Sequence, residues 1–242
     1  MSRFLATISI MCGRYVSPEQ AAVERQWHIG RHNQPSLSEP FAARYNVAPQ
    51  QGNPENYVPV VRQAEGGELE LVRLQWWLLP FWSKESRIKY STFNARIETV
   101  AKAASFREPL KRRRCIIPAL GWYEWQELPP AKLPWFLHGA KGEVLAFAGV
   151  WDRWEREAEV IESCSIIVGP ANEAFRKIHD RMPFVLPPDR AEQWLDRKLT
   201  DASKAMALLK PNAEDAIAFY RVSTRVSNAR NQGGELIAAL KD

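Results

Sequence analysis

The chain has 242 residues, enough for one compact domain with a sizeable core and few for two. It carries 33 Lys and Arg against 28 Asp and Glu, and the resulting charge of +5 suits a polyanionic partner without requiring one. No apolar stretch approaches the ~20 residues of a membrane span, and the first ten residues are too short for a signal peptide. We therefore expect a cytoplasmic protein that does not contact a membrane.

The three cysteines, Cys12, Cys115 and Cys164, show no spacing typical of zinc ligands, so we expect neither a metal nor a cofactor. An odd and sparse number of cysteines is also typical of a reducing compartment. Cys115 and Cys164 lie inside apolar runs and are expected to be small buried residues.

The first part of the chain begins with a helix signal. Ser17-Pro18-Glu19-Gln20 has the pattern of a capping box and predicts a helix to about Trp27, followed by a polar loop over residues 30–40. Two strands, Tyr57–Arg62 and Leu71–Trp76, are expected to be joined through Gly66-Gly67. The Ala-rich residues 97–106 predict a second helix.

The second part of the chain is richer in strands. The apolar and aromatic residues Cys115–Trp125 predict one strand, which ends at Pro129-Pro130. Further strands are predicted at Trp135–His138, Val144–Trp151, Ser163–Val168 and Arg181–Leu186, and short helices at 172–178, 189–197 and 201–209. Many short strands with few helices favour a single α+β domain built on a curved, largely antiparallel sheet or barrel with short flanking helices.

Four segments hold polar residues that an apolar strand or loop does not need. They are Met11–Tyr15, Asn94–Glu98, Gly121–Trp125 and His179–Pro183. Glu124 stands between aromatic residues on a strand suited to burial, where the pKa of a carboxylate rises toward a range useful for acid–base catalysis. The alternative is a half-exposed strand with Glu124 pointing outward.

The other polar residues of these segments each allow two interpretations. His179 is either catalytic or structural, and Asn94 is either functional or the cap of a turn before the next helix. Arg96 and Arg181 are flanked by apolar residues, which fits buried ion pairs or forks that hold phosphate.

Together these segments resemble the SRAP family, the SOS-response-associated peptidases that process abasic sites. The resemblance covers nearly the whole chain from Met11 and includes further motifs at Arg44–Pro49, Trp76–Trp82, Leu145–Trp151, Ser165–Asn172 and Val226–Gly233. It implies a monomeric protein that binds single-stranded DNA containing abasic sites and forms a covalent crosslink with it. Autopeptidase and abasic-site lyase activities are implied as well.

The resemblance also implies roles for individual residues. Cys12 matches the nucleophile of the family, which becomes residue one after removal of the preceding Met. The polar residues expected around it are Asn94, Glu124 and His179. The residues expected to contact DNA are Arg14, Arg96 and Arg181 at phosphates, Asn46 and Pro49 on a DNA-facing loop, and Trp82 as a wedge against bases.

The implied chemistry is sound on first principles. An abasic deoxyribose opens to an aldehyde, and an N-terminal cysteine is a 1,2-aminothiol. Its amine forms a Schiff base, and its thiol then closes a five-membered thiazolidine ring. An internal cysteine cannot react in this way because its nitrogen is an amide. Glu124 and His179 are the candidates for the proton transfers, and Asn94 for orienting the amine or the sugar.

Cys12 is not the second residue of the printed sequence, so residues 1–11 are either a mis-assigned start, with Met11 as the true one, or a leader that the protein removes. Residues 12–242 then form the SRAP-like domain. Trp77 stands where family members commonly carry Gly, and Gly169-Pro170 where a Thr is common. Both departures affect the expected shape of the DNA pocket.

Two alternatives belong to other functional classes. The first is a non-covalent binder of single-stranded DNA that uses basic residues and tryptophans. The second is a thiol peptidase that uses Cys12 with His179 and acts on proteins, for which no free N-terminus is needed.

Overall fold

A computed structural model describes residues 12–29 and 40–240. Residues 1–11 and nearly all of the predicted loop 30–40 lie outside this part of the chain. The strands in chain order are β1 (Tyr15–Ser17), β2 (Arg44–Val47), β3 (Val58–Gln63), β4 (Leu69–Trp76), β5 (Asn94–Arg96), β6 (Arg114–Ala119), β7 (Gly121–Leu128), β8 (Ala131–Gly139), β9 (Leu145–Arg156), β10 (Glu159–Pro170), β11 (Arg181–Pro183) and β12 (Ile217–Arg221). The α-helices are α1 (Gln20–Gln26), α2 (Arg107–Arg112), α3 (Glu173–Arg176), α4 (Pro188–Leu195) and α5 (Ala202–Ala207).

Five strands close into a barrel. They pair in the order β10-β4-β3-β6-β9, and β9 pairs again with β10 along the hairpin that joins them. All of these pairings are antiparallel except that between β4 and β10. The short strands β5 and β11 both pair with the last residues of β10. The predicted α+β class, with a largely antiparallel barrel and short flanking helices, is confirmed.

A second sheet lies beside the barrel in the order β12-β8-β7-β1-β2. The chain crosses from one sheet to the other between β6 and β7, at Leu120, whose N–H donates to Val16 O at 2.8 Å. The prediction of one strand over Cys115–Trp125 was therefore wrong. The segment is continuously apolar because each half is buried in its own sheet. The predicted end before Pro129-Pro130 is confirmed, since β7 ends at Leu128.

The barrel interior is packed with aromatic side chains. The rings of Tyr15 and Trp76 meet edge to face at a centroid distance of 5.3 Å, and those of Trp122 and Phe147 at 5.6 Å. The same buried cluster contains Cys12, as well as Cys115 and Cys164, which are buried as predicted. The nucleophile predicted from sequence thus lies against the main core.

The helix predicted to run to about Trp27 is present as α1, but its predicted capping box was wrong, and the helix predicted over residues 97–106 was wrong, because tertiary contacts override local preference. Ser17 belongs to β1, opposite Arg44, and α1 begins only at Gln20 with no side-chain cap. Residues 97–106 form consecutive turns, and the helix is Arg107–Arg112. The turns bring Val100 and Phe106 into one buried cluster, which outweighs the helix preference of the alanines between them.

The other predicted helices and strands are present with shifted ends. The sequence did not indicate β1, β2, β5 and β12, which have three to five residues each and offer little periodicity. Across the described ranges, none of the helices combines the length and apolar character needed to cross a membrane.

Gly149 on β9 allows three barrel strands to pack closely. A Cβ at this position would lie 2.1 Å from Ile117 Cδ1 and 3.0 Å from Ser165 O. We predict that Gly149→Ala lowers the free energy of unfolding by about 1–3 kcal/mol, because overpacking forces its neighbours to move. Urea denaturation measures the difference. Gly234→Ala is the matched control, since its nearest atom would be 3.7 Å away, and equal losses in the two variants would contradict the prediction.

Candidate functional site

Cys12 lies three residues before the first residue of β1 and is fully buried. The pairing of β1 with β7 continues past the strand, because Tyr123 N donates to Arg14 O at 3.0 Å. This pairing carries Cys12 to the side of Glu124. Cys12 has a φ of 38°, a left-handed conformation that costs a non-glycine residue about 1–2 kcal/mol. The surrounding structure therefore holds it in place.

Glu124 points into the protein, with 2% of its surface exposed, so the outward-facing alternative is wrong. Burial raises the pKa of its carboxyl well above the ordinary value. Hydrogen bonds from the backbone N–H and the thiol of Cys12 oppose this rise, and the charge of Asp180 adds to it. Oε1 of the same carboxyl is buried and, among the described residues, accepts no hydrogen bond. The Glu124 carboxyl therefore favours its protonated form more than an exposed glutamate does.

The thiol of Cys12 is disfavoured as a thiolate. Burial raises its pKa well above the ordinary value, and the charge of Glu124 raises it further. A thiol in these surroundings stays protonated unless a neighbouring base removes its proton. The Glu124 carboxylate, which accepts the hydrogen bond of this thiol, is the base in position to remove the proton.

Asn94 reaches the same point from β5. This strand pairs with β10, where Asn94 lies opposite Ile166, so Asn94 is a strand residue and the helix-cap alternative is wrong. Its Nδ2 donates to the backbone oxygen of Cys12 at 3.5 Å. Three of the four predicted catalytic residues therefore meet, although they come from distant parts of the sequence.

His179 follows α3, and its side chain is 9% exposed. Its Nδ1 accepts a hydrogen bond from Arg181 N at 3.0 Å and lies 3.2 Å from Asp180 Oδ1. Burial lowers the pKa of the imidazole, which favours the neutral ring with its proton on Nε2. The segment packs on β7, since Gln126 Nε2 donates to Lys177 O at 3.0 Å. His179 thus lies on the Glu124 side of the site.

Arg96 and Arg181 lie on the two short strands that extend β10. Arg96 is exposed and two residues from Asn94, so both project from the same face of β5. Arg181 forms an ion pair with Glu98. Burial raises the pKa of the Glu98 carboxyl, but the hydrogen bond and charge of Arg181, a backbone hydrogen bond and the charge of Arg96 together lower it more. Arg96 is exposed, so the buried-ion-pair alternative is wrong for this residue. The Arg181 side chain is 20% exposed and does form an ion pair, so both interpretations of Arg181 stay open.

Arg14 and Asn46, both expected to contact DNA, form hydrogen bonds with the C-terminal segment. Arg14 donates to Asn46 Oδ1 at 2.8 Å and to Val226 O at 2.9 Å. Asn46 is 2% exposed, and its Nδ2 donates to the carbonyls of Val226, Asn228 and Asn231. Both side chains thus hold the C-terminal segment against the strand that follows Cys12.

An aromatic and basic loop, which we define as residues 80–92, lies at the surface. Trp82 is 42% exposed, and Phe81 and Tyr90 are similarly exposed at 46% and 47%. The loop is joined to the segment after Pro49, because the Gln51 side chain exchanges two hydrogen bonds with the backbone of Ile88, each 2.9 Å long. Phe81 and Tyr90 were not among the residues predicted from the sequence, although aromatic residues inside a stretch rich in Ser and Lys are a usable signal of such a surface.

The fold and site define a class of protein: an α+β barrel that holds a buried thiol, a buried carboxyl and an amide together beside exposed arginines. The residues described contain no group of three His, Cys, Asp or Glu side chains that could hold a metal ion. The chain belongs to the SOS response associated peptidase (SRAP) family, whose sequence model matches residues 11–229.

Relatives and solved structures agree with this assignment. The abasic site processing protein YoqW of Bacillus subtilis is 36% identical over 230 residues, which cover 94% of this chain and 99% of that protein. The abasic site processing protein HMCES of Gallus gallus is 33% identical and covers 96% of this chain and 78% of its own. A Bordetella bronchiseptica protein structure superposes with a TM-score of 0.71 at 25% identity, over 88% of this chain and all of that one. A Bacteroides thetaiotaomicron structure shares the fold, with a TM-score of 0.77 at 23% identity over 95% of this chain and all of that one.

The contact between Cys12 and Glu124 leads to a prediction about thiol reactivity. Alkylation of Cys12 in the native protein should be slow near neutral pH and speed up only as the thiol ionises. Glu124→Gln should shift this rise to lower pH, because it removes a charge that disfavours the thiolate. Labelling with iodoacetamide, read by peptide mass spectrometry, gives the profile. The buried thiol of Cys164 is the internal control, and a Cys12 profile that stays in place would contradict the prediction.

Proposed function

We propose that this chain is an abasic site processing protein that links covalently to single-stranded DNA through Cys12. The names of the relatives support abasic site processing, and one observation in this chain supports the covalent step. The backbone nitrogen and the thiol of the same residue both donate hydrogen bonds to the carboxyl of Glu124. In a chain that begins at Cys12, this places both reacting groups of an aminothiol on one acid–base residue.

The proposed reaction joins the aldehyde of an opened abasic sugar to Cys12 and releases one water. The amine attacks the carbonyl carbon, and loss of the hydroxyl as water leaves a Schiff base. The sulfur then adds to the same carbon, the thiol proton passes to the nitrogen, and the thiazolidine ring closes. Glu124 takes the proton of the ammonium and returns it to the leaving hydroxyl, a cycle that suits a carboxyl with a raised pKa.

Asn94 and His179 complete the proposed site. Asn94 fixes the backbone oxygen of Cys12 and thereby the direction of the amine. His179, neutral and with its proton on Nε2, is suited to donate a hydrogen bond to the sugar or its leaving oxygen. The Schiff base also acidifies the neighbouring carbon of the sugar, so proton removal by a base there accounts for a lyase-type side activity.

We assign the DNA contacts to the surface around this site. Arg96 and Arg181 are placed to pair with phosphates, and Trp82 is placed to contact bases. The segment that begins at Pro49 is placed to line the DNA strand. Arg14 and Asn46 act as positioning residues, because their polar atoms are engaged within the protein. The exposed rings and cations of the 80–92 loop suit single-stranded DNA, which is bound by stacking and by charge.

A peptidase activity toward other proteins has less support. Such a nucleophile needs a thiolate, and burial and the charge of Glu124 both raise the pKa of the Cys12 thiol. Self-removal of residues 1–11 is a separate proposal, since the neighbouring carboxyl could activate the attack on the preceding peptide bond. Non-covalent DNA binding remains the second candidate function, favoured by the three exposed aromatic side chains.

The first prediction from this proposal concerns the covalent product. Protein that begins at Cys12 should form a complex with abasic single-stranded DNA that survives a denaturing gel without borohydride. Cys12→Ser should abolish this complex, because a hydroxyl closes no stable ring, while a Schiff base trapped by borohydride persists. Glu124→Gln should slow formation by about 100-fold or more, the typical contribution of a general acid–base residue.

A chain that keeps residues 1–11 is the control for the role of the amine. Met11→Leu removes the internal start, and the resulting protein should fold but form no crosslink while residues 1–11 remain. Intact mass tells whether they remain. A stable uncleaved chain that still crosslinks without borohydride would overturn the N-terminal-cysteine mechanism.

The second prediction concerns phosphate contacts. Non-covalent affinity for single-stranded DNA should fall steeply with salt, and Arg96→Ala and Arg181→Ala should each flatten the slope of log K against log salt by about 0.7. Fluorescence anisotropy at several salt concentrations measures the slope. Arg197→Ala, an exposed arginine whose side chain lies near Glu65, is the control. Slopes equal to the wild type in both test variants would count against these contacts.

A further inference from the structure

Exposed large hydrophobic side chains are concentrated in one place. Across the residues described, six such side chains are exposed: Phe81, Trp82, Tyr90, Leu128, Val160 and Leu240. The three aromatic ones all lie in the 80–92 loop, together with the exposed cations Lys84, Arg87 and Lys89. A clustered aromatic surface rimmed by positive charge is typical of a binding site and is costly to leave in water without one.

Phe81 and Trp82 occupy the two corners of a turn. Ser83 N donates to Pro80 O at 2.9 Å, which closes the turn and directs both corner side chains away from the core. Each ring is also restrained at one edge. Trp82 Nε1 donates to Ala104 O at 3.2 Å, and the guanidinium of Arg113 lies 6.0 Å from the centre of the Phe81 ring.

Asp152, on β9 beneath this turn, fixes its backbone. The side chain is 1% exposed, and its Oδ2 accepts from Phe81 N at 3.0 Å. Its Oδ1 lies 3.0 Å from Arg113 Nη2 and accepts from Arg153 N at 2.8 Å. One buried carboxylate therefore ties the turn both to β9 and to the end of α2.

Two further residues of β9, Trp154 and Arg156, also form hydrogen bonds with the backbone of this turn. Trp154 Nε1 donates to Ser83 O at 2.9 Å, and Arg156 Nη2 donates to Phe81 O at 3.4 Å and to Ser83 O at 3.3 Å. Asp152, Trp154 and Arg156 alternate along the strand, so all three project from one face. The two exposed rings are thus carried by a backbone whose peptide groups between Pro80 and Ser83 are each held by a hydrogen bond within the turn or to β9.

This arrangement removes much of the entropy that two mobile aromatic side chains would lose on binding. The buried carboxylate is costly, since burial raises the pKa of Asp152 against the opposing charge of Arg113. A turn that only joined β4 to β5 would not need such a residue. The free-energy cost of burying Asp152 is explained if the position of the two rings matters for binding a ligand.

We propose that Phe81 is a base-stacking residue beside Trp82, and that Asp152 is a positioning residue that holds both rings ready for a single strand of nucleic acid. The proposal rests on the proposed function for the identity of the ligand. The cations of the loop select a polyanion, and stacking on an aromatic face is available to every base, so we expect the contact to be indifferent to sequence.

The test uses protein that begins at Cys12 and a fluorescent oligonucleotide with no abasic site, so that covalent chemistry plays no part. Phe81→Ala should weaken binding about tenfold, within the range for loss of one stacked base, and leave the salt slope unchanged because no phosphate contact is lost. Phe81→Leu should weaken binding nearly as much, since it keeps apolar surface without an aromatic face. Leu128→Ala, an equally exposed residue of another region, is the control.

Asp152→Asn tests the positioning role. A single amide oxygen cannot serve Phe81 N, Arg113 and Arg153 together, so affinity should fall while the rate of crosslinking at saturating abasic DNA stays at the wild-type value. Because Asp152 acts through the rings, the double variant with Phe81→Ala should lose less than the product of the two single losses. If Asp152→Asn does not fold, Arg113→Gln removes the same ion pair from its more exposed side.

The outcomes separate this inference from the proposed function. Wild-type affinity in both Phe81 variants would overturn the inference. Multiplicative losses in the double variant would overturn the positioning role of Asp152. Failure of the wild-type protein to bind single-stranded DNA at all would instead contradict the proposed function.

Discussion

The contact between Cys12 and the buried carboxyl of Glu124 is the constraint on which the site depends. A carboxyl at 2% exposure is tolerated only where donors are available, and here the donors are the nitrogen and sulfur of one residue. That contact requires β1 to pair with β7, and β7 can take its place only because the chain leaves the barrel at Leu120. The barrel therefore supports the second sheet, and the pairing of β1 with β7 in that sheet creates the contact between Cys12 and Glu124.

The beginning and the end of the described chain depend on each other. Arg14, two residues after Cys12, donates to the carbonyl of Val226, which is 212 positions away in the sequence. Asn46 accepts from Arg14 and donates to three carbonyls of the same C-terminal segment. The two side chains therefore connect the start of the described chain to its end, because a partly buried guanidinium and a buried amide must satisfy their hydrogen bonds and the irregular C-terminal backbone offers acceptors.

Two parts of the barrel hold the surface residues beside the site in place. The short strands that extend β10 present Arg96 and Arg181 near Asn94, while β9 braces the turn that carries Phe81 and Trp82 from beneath. Both features depend on the longest hairpin of the barrel, β9–β10, which is paired over eight consecutive registers. Charge and aromatic surface are thereby presented on rigid strands and anchored turns, where their positions are set before a ligand arrives.

The sequence by itself determined the class of the fold, the main barrel strands and the identity of the unusual residues. The alternation of apolar residues indicates which side of a strand is buried. A glutamate between aromatic residues can likewise be recognised without knowing where its strand lies in the fold. The tertiary structure decided the features that depend on contacts between residues distant in the sequence. It split Cys115–Trp125 between two sheets, turned residues 97–106 away from a helix, placed Ser17 in a strand and directed Arg14 and Asn46 inward. In each case a hydrogen-bond or packing partner distant in sequence outweighed a local preference worth ~1 kcal/mol per residue or less.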